Sequence, residues 1–272
     1  MTVIEKYSHE EINYWKLGTS WWGKPGIYVH SFLIDGLLID TGHTYIKKEF
    51  LQVLSEKTIN KVILTHHHED HSSNVEAIKR QHKIEGFASP LCCNIMQEPP
   101  RLEPARRLTW GQNSAADLLP LDFSEKLETN SFSFDILETP GHAVDQISLH
   151  EKNRGWLFSG DIFIHDYVKS FMRDENIYHQ IDSIKLLLEL DFDALICNHQ
   201  PVFHKGKKRL RNKLQFLEDL VGKVREEFIK TNSVSQTMNS LRIKENHFLK
   251  GFSLGQLSAK NMILSVISGI EK

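Results

Sequence analysis

The stretch VILTHHHEDHSS, residues 62–73, decides how the fold of this chain is interpreted. It opens with an apolar run and continues into four histidines and two acids within six residues. The run KVILT (61–65) shows no polar alternation, which is typical of a short strand buried on both faces. The sequence therefore places a dense group of titratable side chains directly after a predicted buried strand.

Length and composition describe an ordinary globular protein. The chain has 272 residues, which suits one large sandwich or α/β domain. Apolar residues make up 40% and charged residues 25% of the sequence, as in most globular proteins. The formal net charge of −2 gives the molecule no general attraction to nucleic acid or to a membrane surface. We therefore expect a small-molecule substrate, with nucleic acid as a weaker alternative, and the sequence does not indicate an oligomeric state.

Neither targeting nor disulfide signals are visible. Residues 1–16 carry acids and aromatics where a signal peptide would have basic residues followed by an apolar run. No segment approaches the roughly 20 apolar residues that span a bilayer. The three cysteines are too few, and odd in number, for a disulfide framework. These features predict a cytoplasmic protein without a membrane segment.

The order of predicted elements indicates an α/β fold. Residues 31–42 predict a hairpin that turns at Asp35-Gly36. A strand–helix–strand rhythm follows at residues 61–89, with Ser72 or Ser73 as the predicted helix cap. Further elements are predicted from hydrophobic periodicity: strands 132–139, 146–150, 155–161 and 194–199, and helices 44–57, 182–190 and 205–230.

Four predicted strands end in residue types that bind metal ions. The candidate ligands at these ends are His66, His68, Asp70, His71, His142, Asp161 and His199. Imidazole and carboxylate groups suit zinc, iron or manganese, and strand ends hold such groups rigidly. A single histidine after a strand is usually a hydrogen-bonded loop residue, but the joint pattern favours a metal site with enough ligands for two ions. Because side chains alternate in direction along an extended segment, we expect the His67 side chain to point away from the site and to support it without binding metal.

The motif THHHEDH resembles the H-x-H-x-D-H signature of the metallo-β-lactamase superfamily. Four further landmarks of that family follow the same order: LLIDTG (37–42), TPGH (139–142), SGD (159–161) and CNHQP (197–201). The resemblance covers roughly residues 25–205. It implies a four-layer αββα sandwich, with a catalytic domain at 1–204 and a helical C-terminal extension at 205–272 packed on the core.

The resemblance also implies a role for each candidate ligand. One metal ion would be bound by His66, His68 and His142. The second would be bound by Asp70, His71 and His199, with Asp161 as the bridge. Asp40 would lie beneath the site and orient a ligand histidine. The implied cofactors are two divalent ions per chain, zinc first, with iron and manganese as the other candidates.

Two departures from the family pattern bear on the substrate. One major group of antibiotic-hydrolysing members has cysteine where this chain has Asp161, so a dedicated β-lactamase of that type is not expected. In the family, the last ligand histidine is usually flanked by two glycines (GHG), whereas in this chain it is flanked by asparagine and glutamine (NHQ). The side chains of Asn198 and Gln200 are therefore expected to reshape the mouth of the pocket.

The implied chemistry is hydrolysis by a hydroxide that bridges two metal ions, with Asp70 as the catalytic residue that accepts a hydrogen bond from the nucleophile. A small thioester, ester or lactone is the expected substrate. The alternatives are a nucleic-acid phosphodiesterase or nuclease, and an iron-dependent oxidoreductase on the same ligands. Candidate substrate contacts, chosen from position and from the basic run 204–213, are Trp110, Arg106, Arg107, Tyr167, Lys169, Arg173 and Lys205.

Overall fold

The computed structural model describes residues 1–20, 23 and 25–270. The strands are β1 (Thr2–His9), β2 (Ile12–Thr19), β3 (Val29–Ile34), β4 (Leu37–Ile39), β5 (Lys61–Ile63), β6 (Glu85–Ala88), β7 (Leu119–Pro120), β8 (Leu127–Glu128), β9 (Ser133–Glu138), β10 (Ile147–Glu151), β11 (Trp156–Phe158), β12 (Phe171–Met172), β13 (Ala194–Ile196) and β14 (Leu257–Ser258). The helices are α1 (Lys47–Leu54), α2 (Glu69–Ser72), α3 (Val75–His82), α4 (Pro90–Gln97), α5 (Pro104–Trp110), α6 (Ile177–Glu189), α7 (Gly206–Thr231), α8 (Val234–Ser240), α9 (His247–Phe252) and α10 (Ala259–Ile267).

Two sheets form the centre of the molecule. The seven-stranded sheet has the order β1-β2-β3-β4-β5-β6-β7, antiparallel from β1 to β4 and parallel from β4 to β7. The five-stranded sheet has the order β13-β11-β10-β9-β8, in which only the β11–β13 pair is parallel. The short strands β12 and β14 pair as a separate antiparallel ribbon.

Alternating side chains divide the core into three apolar layers. On β3, Phe32 and Ile34 face the second sheet, where they pack with Phe134 and Phe158. Leu33, from the same strand, faces the opposite way, into a cluster with α1, α3 and α4. A third cluster joins β11 and β13 to α6, α7 and α10. Because a period of two sends alternate residues of a strand to opposite faces, both sheets are covered on both sides. The predicted α/β fold is confirmed, and its layers are helix, sheet, sheet and helix.

Some element boundaries differ from the sequence prediction. No strand is predicted before residue 31, whereas β1 and β2 form an N-terminal hairpin at the edge of the first sheet. The predicted serine cap of helix 72–82 is wrong. That helix begins after Asn74, and the hydroxyls of Ser72 and Ser73 donate to carbonyls of the preceding turn.

The C-terminal extension contributes to the core rather than standing apart from it. Helices α7 and α10 supply Leu217, Val224 and Ile263 to the cluster that covers the second sheet. The division of the chain at residue 204 stays a prediction, and residues 271–272 of the proposed extension lie outside the described residues. Among the helices that the structure describes, none combines the length and the apolar character needed to cross a bilayer.

Candidate metal centre

The strand ends bring the predicted ligands together in two adjacent groups. Each residue of a group offers one ligand atom, and within each group these atoms lie within 4.8 Å of one another. The first group is His66, His68 and His142; the second is Asp70, His71, Asp161 and His199. His199 Nε2 lies 3.1 Å from Asp161 Oδ2 and 3.2 Å from Asp70 Oδ2. Both groups are built from loops that follow β5, β9, β11 and β13.

The buried carboxylate of Asp40 anchors the neighbouring loops. Its Oδ1 accepts a hydrogen bond from the Thr65 backbone N–H at 2.8 Å. Its Oδ2 accepts from Thr65 Oγ1 at 2.8 Å and from Asn198 Nδ2 at 2.7 Å, and it lies 2.9 Å from His71 Nδ1. Asp40 adopts a φ of +58°, a left-handed conformation that aspartate tolerates better than most residues. One carboxylate therefore joins the ends of β4, β5 and β13.

Hydrogen bonds on the outer side of the rings direct one nitrogen of each histidine toward the centre. His71 must donate through Nδ1–H because its partner is a carboxylate, so Nε2 is the nitrogen that faces the centre. The Thr65 hydroxyl already donates to that carboxylate, so it accepts from His66 Nδ1, 3.0 Å away. His199 donates through Nδ1–H to the Tyr28 carbonyl at 2.7 Å. Each of these rings therefore presents Nε2 as an available ligand atom.

Several buried polar atoms at the centre have no hydrogen-bond partner among the described residues. These atoms are the Nε2 atoms of His66, His68 and His71, and Oδ1 of Asp161. In addition, His68 Nδ1 and His142 Nε2 face each other at 3.1 Å. Buried polar atoms are rarely left unpaired because the desolvation cost is high. A metal ion would satisfy these atoms, so the donor set fits divalent metal binding.

Burial and mutual charge set the protonation of the cluster. Burial, followed by the neighbouring charge of His71, lowers the pKa of His66 well below its usual value. Burial alone would raise the pKa of Asp161, but the His199 and His71 rings outweigh it and hold that pKa well below the ordinary range. Burial alone would lower the pKa of His71 and His199, but the carboxylates of Asp161 and Asp70 outweigh it and raise both pKa values well above the usual range. Because a neutral imidazole and an ionised carboxylate are the forms that bind metal, these two rings would release protons when metal binds.

The structure places His67 away from the two ligand groups. Its ring Nδ1 lies 2.7 Å from Asp145 Oδ1, and its backbone N–H donates to Asp145 Oδ2 at 2.8 Å. Its carbonyl accepts from Asn113 Nδ2 at 2.9 Å. His67 thus links the ligand-bearing turn to the loop that follows His142.

The asparagine and glutamine beside His199, where the family usually has glycines, do not have the consequence expected from the sequence. Neither Asn198 nor Gln200 lines the cavity, so the predicted reshaping of its mouth is wrong. Asn198 is buried, and its amide donates to both Asp40 Oδ2 and the His30 carbonyl. Asn198 therefore uses its side chain, which a glycine would lack, to hold the Asp40 carboxylate in place.

A cavity of about 600 Å³ opens onto the ligand groups. Of the predicted substrate contacts, the cavity is lined by Trp110, Arg106, Tyr167 and Lys169. The structure does not bring Arg107, Arg173 or Lys205 to its wall. Arg106 is held by Glu69, with Nε at 2.8 Å from Oε1 and Nη2 at 2.5 Å from Oε2. Its charge is therefore committed to a buried partner rather than free for an anionic substrate.

Three charged residues at the cavity were not singled out from the sequence. Glu69 is the buried partner of Arg106, although it lies inside the decisive motif. Glu175 Oε2 lies 3.5 Å from His142 Nδ1 and accepts from Gln180 Nε2 at 2.8 Å. Lys213, on α7, is buried and donates to the Ile162 carbonyl at 2.6 Å, and burial lowers its pKa to about 8.

Comparison with known proteins finds relatives in which only part of the relative's length aligns with this chain. A hydroxyacylglutathione hydrolase from Legionella pneumophila is 30% identical over 138 residues, covering 49% of this chain and 46% of the relative. A β-lactamase-like protein 2 homolog from Drosophila melanogaster is 24% identical over 184 residues, covering 62% of this chain and 56% of the relative. The chain thus spans about half the length of the curated relatives it matches.

Solved structures share the fold at low sequence identity. A metallo-beta-lactamase from Pontibacter korlensis matches with a TM-score of 0.63 and 17% identity, covering 80% of this chain and 100% of that chain. A flavoprotein from Thermotoga maritima matches with a TM-score of 0.60 and 18% identity, covering 85% of this chain and 69% of that chain. The family model of the metallo-beta-lactamase superfamily matches residues 25–199, more than half of the sequence. By its sequence, its sandwich fold and its motif, the chain belongs to the metallo-beta-lactamase superfamily.

Proposed function

We propose that this protein is a metal-dependent hydrolase of a small acyl substrate, with a thioester first and an ester or lactone next. The observation that carries the proposal is the convergence of seven candidate ligand residues, among which four buried polar atoms have no hydrogen-bond partner among the described residues. The relatives named hydroxyacylglutathione hydrolase support a thioester as the first substrate class.

The ligand groups would hold two divalent ions. His66, His68 and His142 would bind one, and Asp70, His71 and His199 the other, with Asp161 between them. A mixed imidazole and carboxylate set favours zinc, while iron and manganese bind the same groups. When bound, such ions act as Lewis acids toward a carbonyl oxygen and lower the pKa of water.

The residues of the chain would position the reactants around the ions. Asp70 lines the cavity, and its carboxylate would accept a hydrogen bond from the attacking water and so orient it. Asp40 and Glu175 would hold the rings of His71 and His142 in the binding orientation. Trp110, 6.4 Å from the His199 ring, would cover the site on one side and limit its contact with water.

Placement of the basic run supports a small substrate over nucleic acid. Arg209 is ion-paired with Asp166, and Lys213 is buried against a backbone carbonyl. Lys207 donates to the Leu190 carbonyl, 2.5 Å away. Nucleic-acid binding draws on several cations that are free to meet phosphates, and much of this run is committed to the protein itself.

Metal analysis combined with a substrate panel tests the proposal. Protein purified without added metal would be assayed for metal content, and then for hydrolysis of a hydroxyacylglutathione thioester, a short acyl ester, a lactone and a phosphodiester. We expect about two divalent ions per chain and the highest kcat/KM on a thioester or ester. Preference for the phosphodiester would overturn the acyl assignment.

Asp161 offers the sharpest substitution because an isosteric change removes its charge. The variant Asp161→Asn should lose metal and activity together. The matched control is Asp166→Asn, the same change five positions along the chain, where the carboxylate pairs with Arg209 outside the ligand groups. A full metal load in Asp161→Asn would contradict the role assigned to Asp161.

A further inference from the structure

The part of the cavity wall that lies beyond the ligand groups is largely apolar, and the C-terminal extension contributes to it. Its apolar lining includes Trp110, Val168, Met172, Leu249, Phe252 and Leu257. Leu249 and Phe252 lie on α9, and Leu257 lies on β14. A volume of about 600 Å³ is within the range of sites that enclose a small organic molecule, and it exceeds what a water molecule and a reacting carbonyl need.

This wall is held in place by specific contacts. Strand β14 pairs with β12, which sets Leu257 beside Met172 across the ribbon. The amide of Asn261 lies within hydrogen-bond distance of the carbonyls of Phe171 and Gln256, at 3.2 and 2.8 Å. The apolar wall is therefore a built part of the fold.

Two cations at the cavity are already committed, which limits what they can offer a ligand. Arg106 forms its two-point contact with Glu69, and Lys213 donates to the Ile162 carbonyl. Lys169 also lines the cavity, but it lies outside α9 and β14. The lining residues from α9 through β14 are all uncharged, so this part of the wall is suited to an uncharged ligand surface: Leu249, Phe252, Ser253, Gln256 and Leu257.

Apolar side chains also reach the mouth of the cavity. Phe252 is 44% exposed and Tyr167 is 53% exposed, and both line the cavity. Large apolar side chains grouped at an opening commonly mark a binding site, because contact with a ligand removes them from water. Their position extends the apolar wall from the interior outward.

We infer that the substrate carries a straight apolar acyl chain that lies along α5 and α9, with its carbonyl at the ligand groups. This inference rests on the proposed acyl hydrolase function and deepens it by naming the acyl part. Each methylene that leaves water along this wall contributes to binding, and full burial corresponds to about fourfold per methylene, from about 0.8 kcal/mol per CH₂.

The test is a chain-length series with a constant leaving group. Metal-loaded protein would hydrolyse N-acetylcysteamine thioesters from acetyl to decanoyl, and kcat/KM should rise two- to fourfold per methylene before it levels off. The matching S-alkyl thioethers cannot be hydrolysed, and their affinities, measured by titration calorimetry, should show the same dependence on chain length.

A pair of phenylalanines on α9 provides the matched variants. Phe252→Ser removes a lining residue and should flatten both series. Phe248→Ser makes the same change on the same helix at a side chain that is 82% exposed and does not line the cavity, so both series should keep their wild-type slopes. Since both residues are at least partly exposed, neither change should prevent folding.

The two readouts separate this inference from the proposed function. Hydrolysis without any dependence on chain length would overturn the apolar acyl site and leave the hydrolase standing. Chain-length-dependent thioether binding without hydrolysis of any thioester would overturn the function and keep the apolar site. Equal slopes in Phe252→Ser and wild-type protein would refute the assignment of the chain to α9.

Discussion

Replacement of Asp40 by asparagine tests whether one buried carboxylate organises the metal centre. Asparagine keeps the size of the side chain and tolerates the φ of +58°, so the change removes mainly the charge and one acceptor atom. The side chain has two orientations. Placing the new NH₂ at the Oδ2 position would set it against three donors, whereas placing it at the Oδ1 position would set it against only the Thr65 N–H.

The second orientation is favoured, and the expected loss of stability follows from it. One buried N–H loses its acceptor, which costs about 1–3 kcal/mol, and the remaining bonds lose their charge assistance. We expect the metal-free protein to lose about 2–4 kcal/mol of unfolding free energy in urea. Metal affinity should fall roughly 10- to 100-fold, because the His71 ring and the Thr65 hydroxyl that holds His66 would meet an amide oxygen in place of a carboxylate.

Chelator competition measures the affinity, and urea unfolding of the metal-free protein measures the stability. The matched control is Asp35→Asn, the same change at another aspartate with positive φ in the same hairpin. Asp35 accepts from the Ser131 N–H, a bond that an asparagine oxygen can keep, so its variant should change stability by less than about 1 kcal/mol. Wild-type metal affinity in Asp40→Asn would refute the organising role.

Two further substitutions address residues outside the ligand groups. His67→Ala should keep its metal content and lose about 1–3 kcal/mol of unfolding free energy, because Asp145 loses one hydrogen-bond partner. His66→Ala should lose metal. Equal metal loss in both variants would show that His67 is a ligand. A variant of the basic run should keep its wild-type KM at low and high salt, since none of its three positions lines the cavity, and a salt-dependent rise in KM would contradict this placement. The three changes in that variant are Lys205→Gln, Lys207→Gln and Lys208→Gln.

The ligand groups could be predicted because each ligand lies a few residues beyond a strand. A strand is a rigid element with a strong apolar pattern, so its end can be located in the sequence, and so can the side chains that follow it. His66, Asp70 and His71 also share one turn, which makes their proximity a local property. The contacts that orient these ligands are different. Asn198 and Glu175 reach the cluster from distant segments, and no local spacing encodes such a meeting.

The N-terminal hairpin was missed for a physical reason. Strand β1 lies at the edge of the first sheet and pairs only with β2 within that sheet. Its central residues Glu5, Lys6 and Tyr7 are exposed, so burial imposes no apolar alternation on them. Charged side chains on an edge strand discourage pairing with other chains, and they also remove the pattern by which a strand is recognised in a sequence.

Lys213 shows a signal that the sequence does contain. It lies three residues after Leu210 and four before Leu217, so it shares the apolar face of α7. Its place in a basic run suggests a solvated helix face, but its helical position requires burial. A buried ammonium is costly unless it is hydrogen-bonded, and here it donates to the carbonyl of Ile162, the residue after Asp161. The helix that begins the extension is therefore bonded directly to the turn that carries a central metal-ligand candidate, and the extension takes part in shaping the site as well as in covering the sheet.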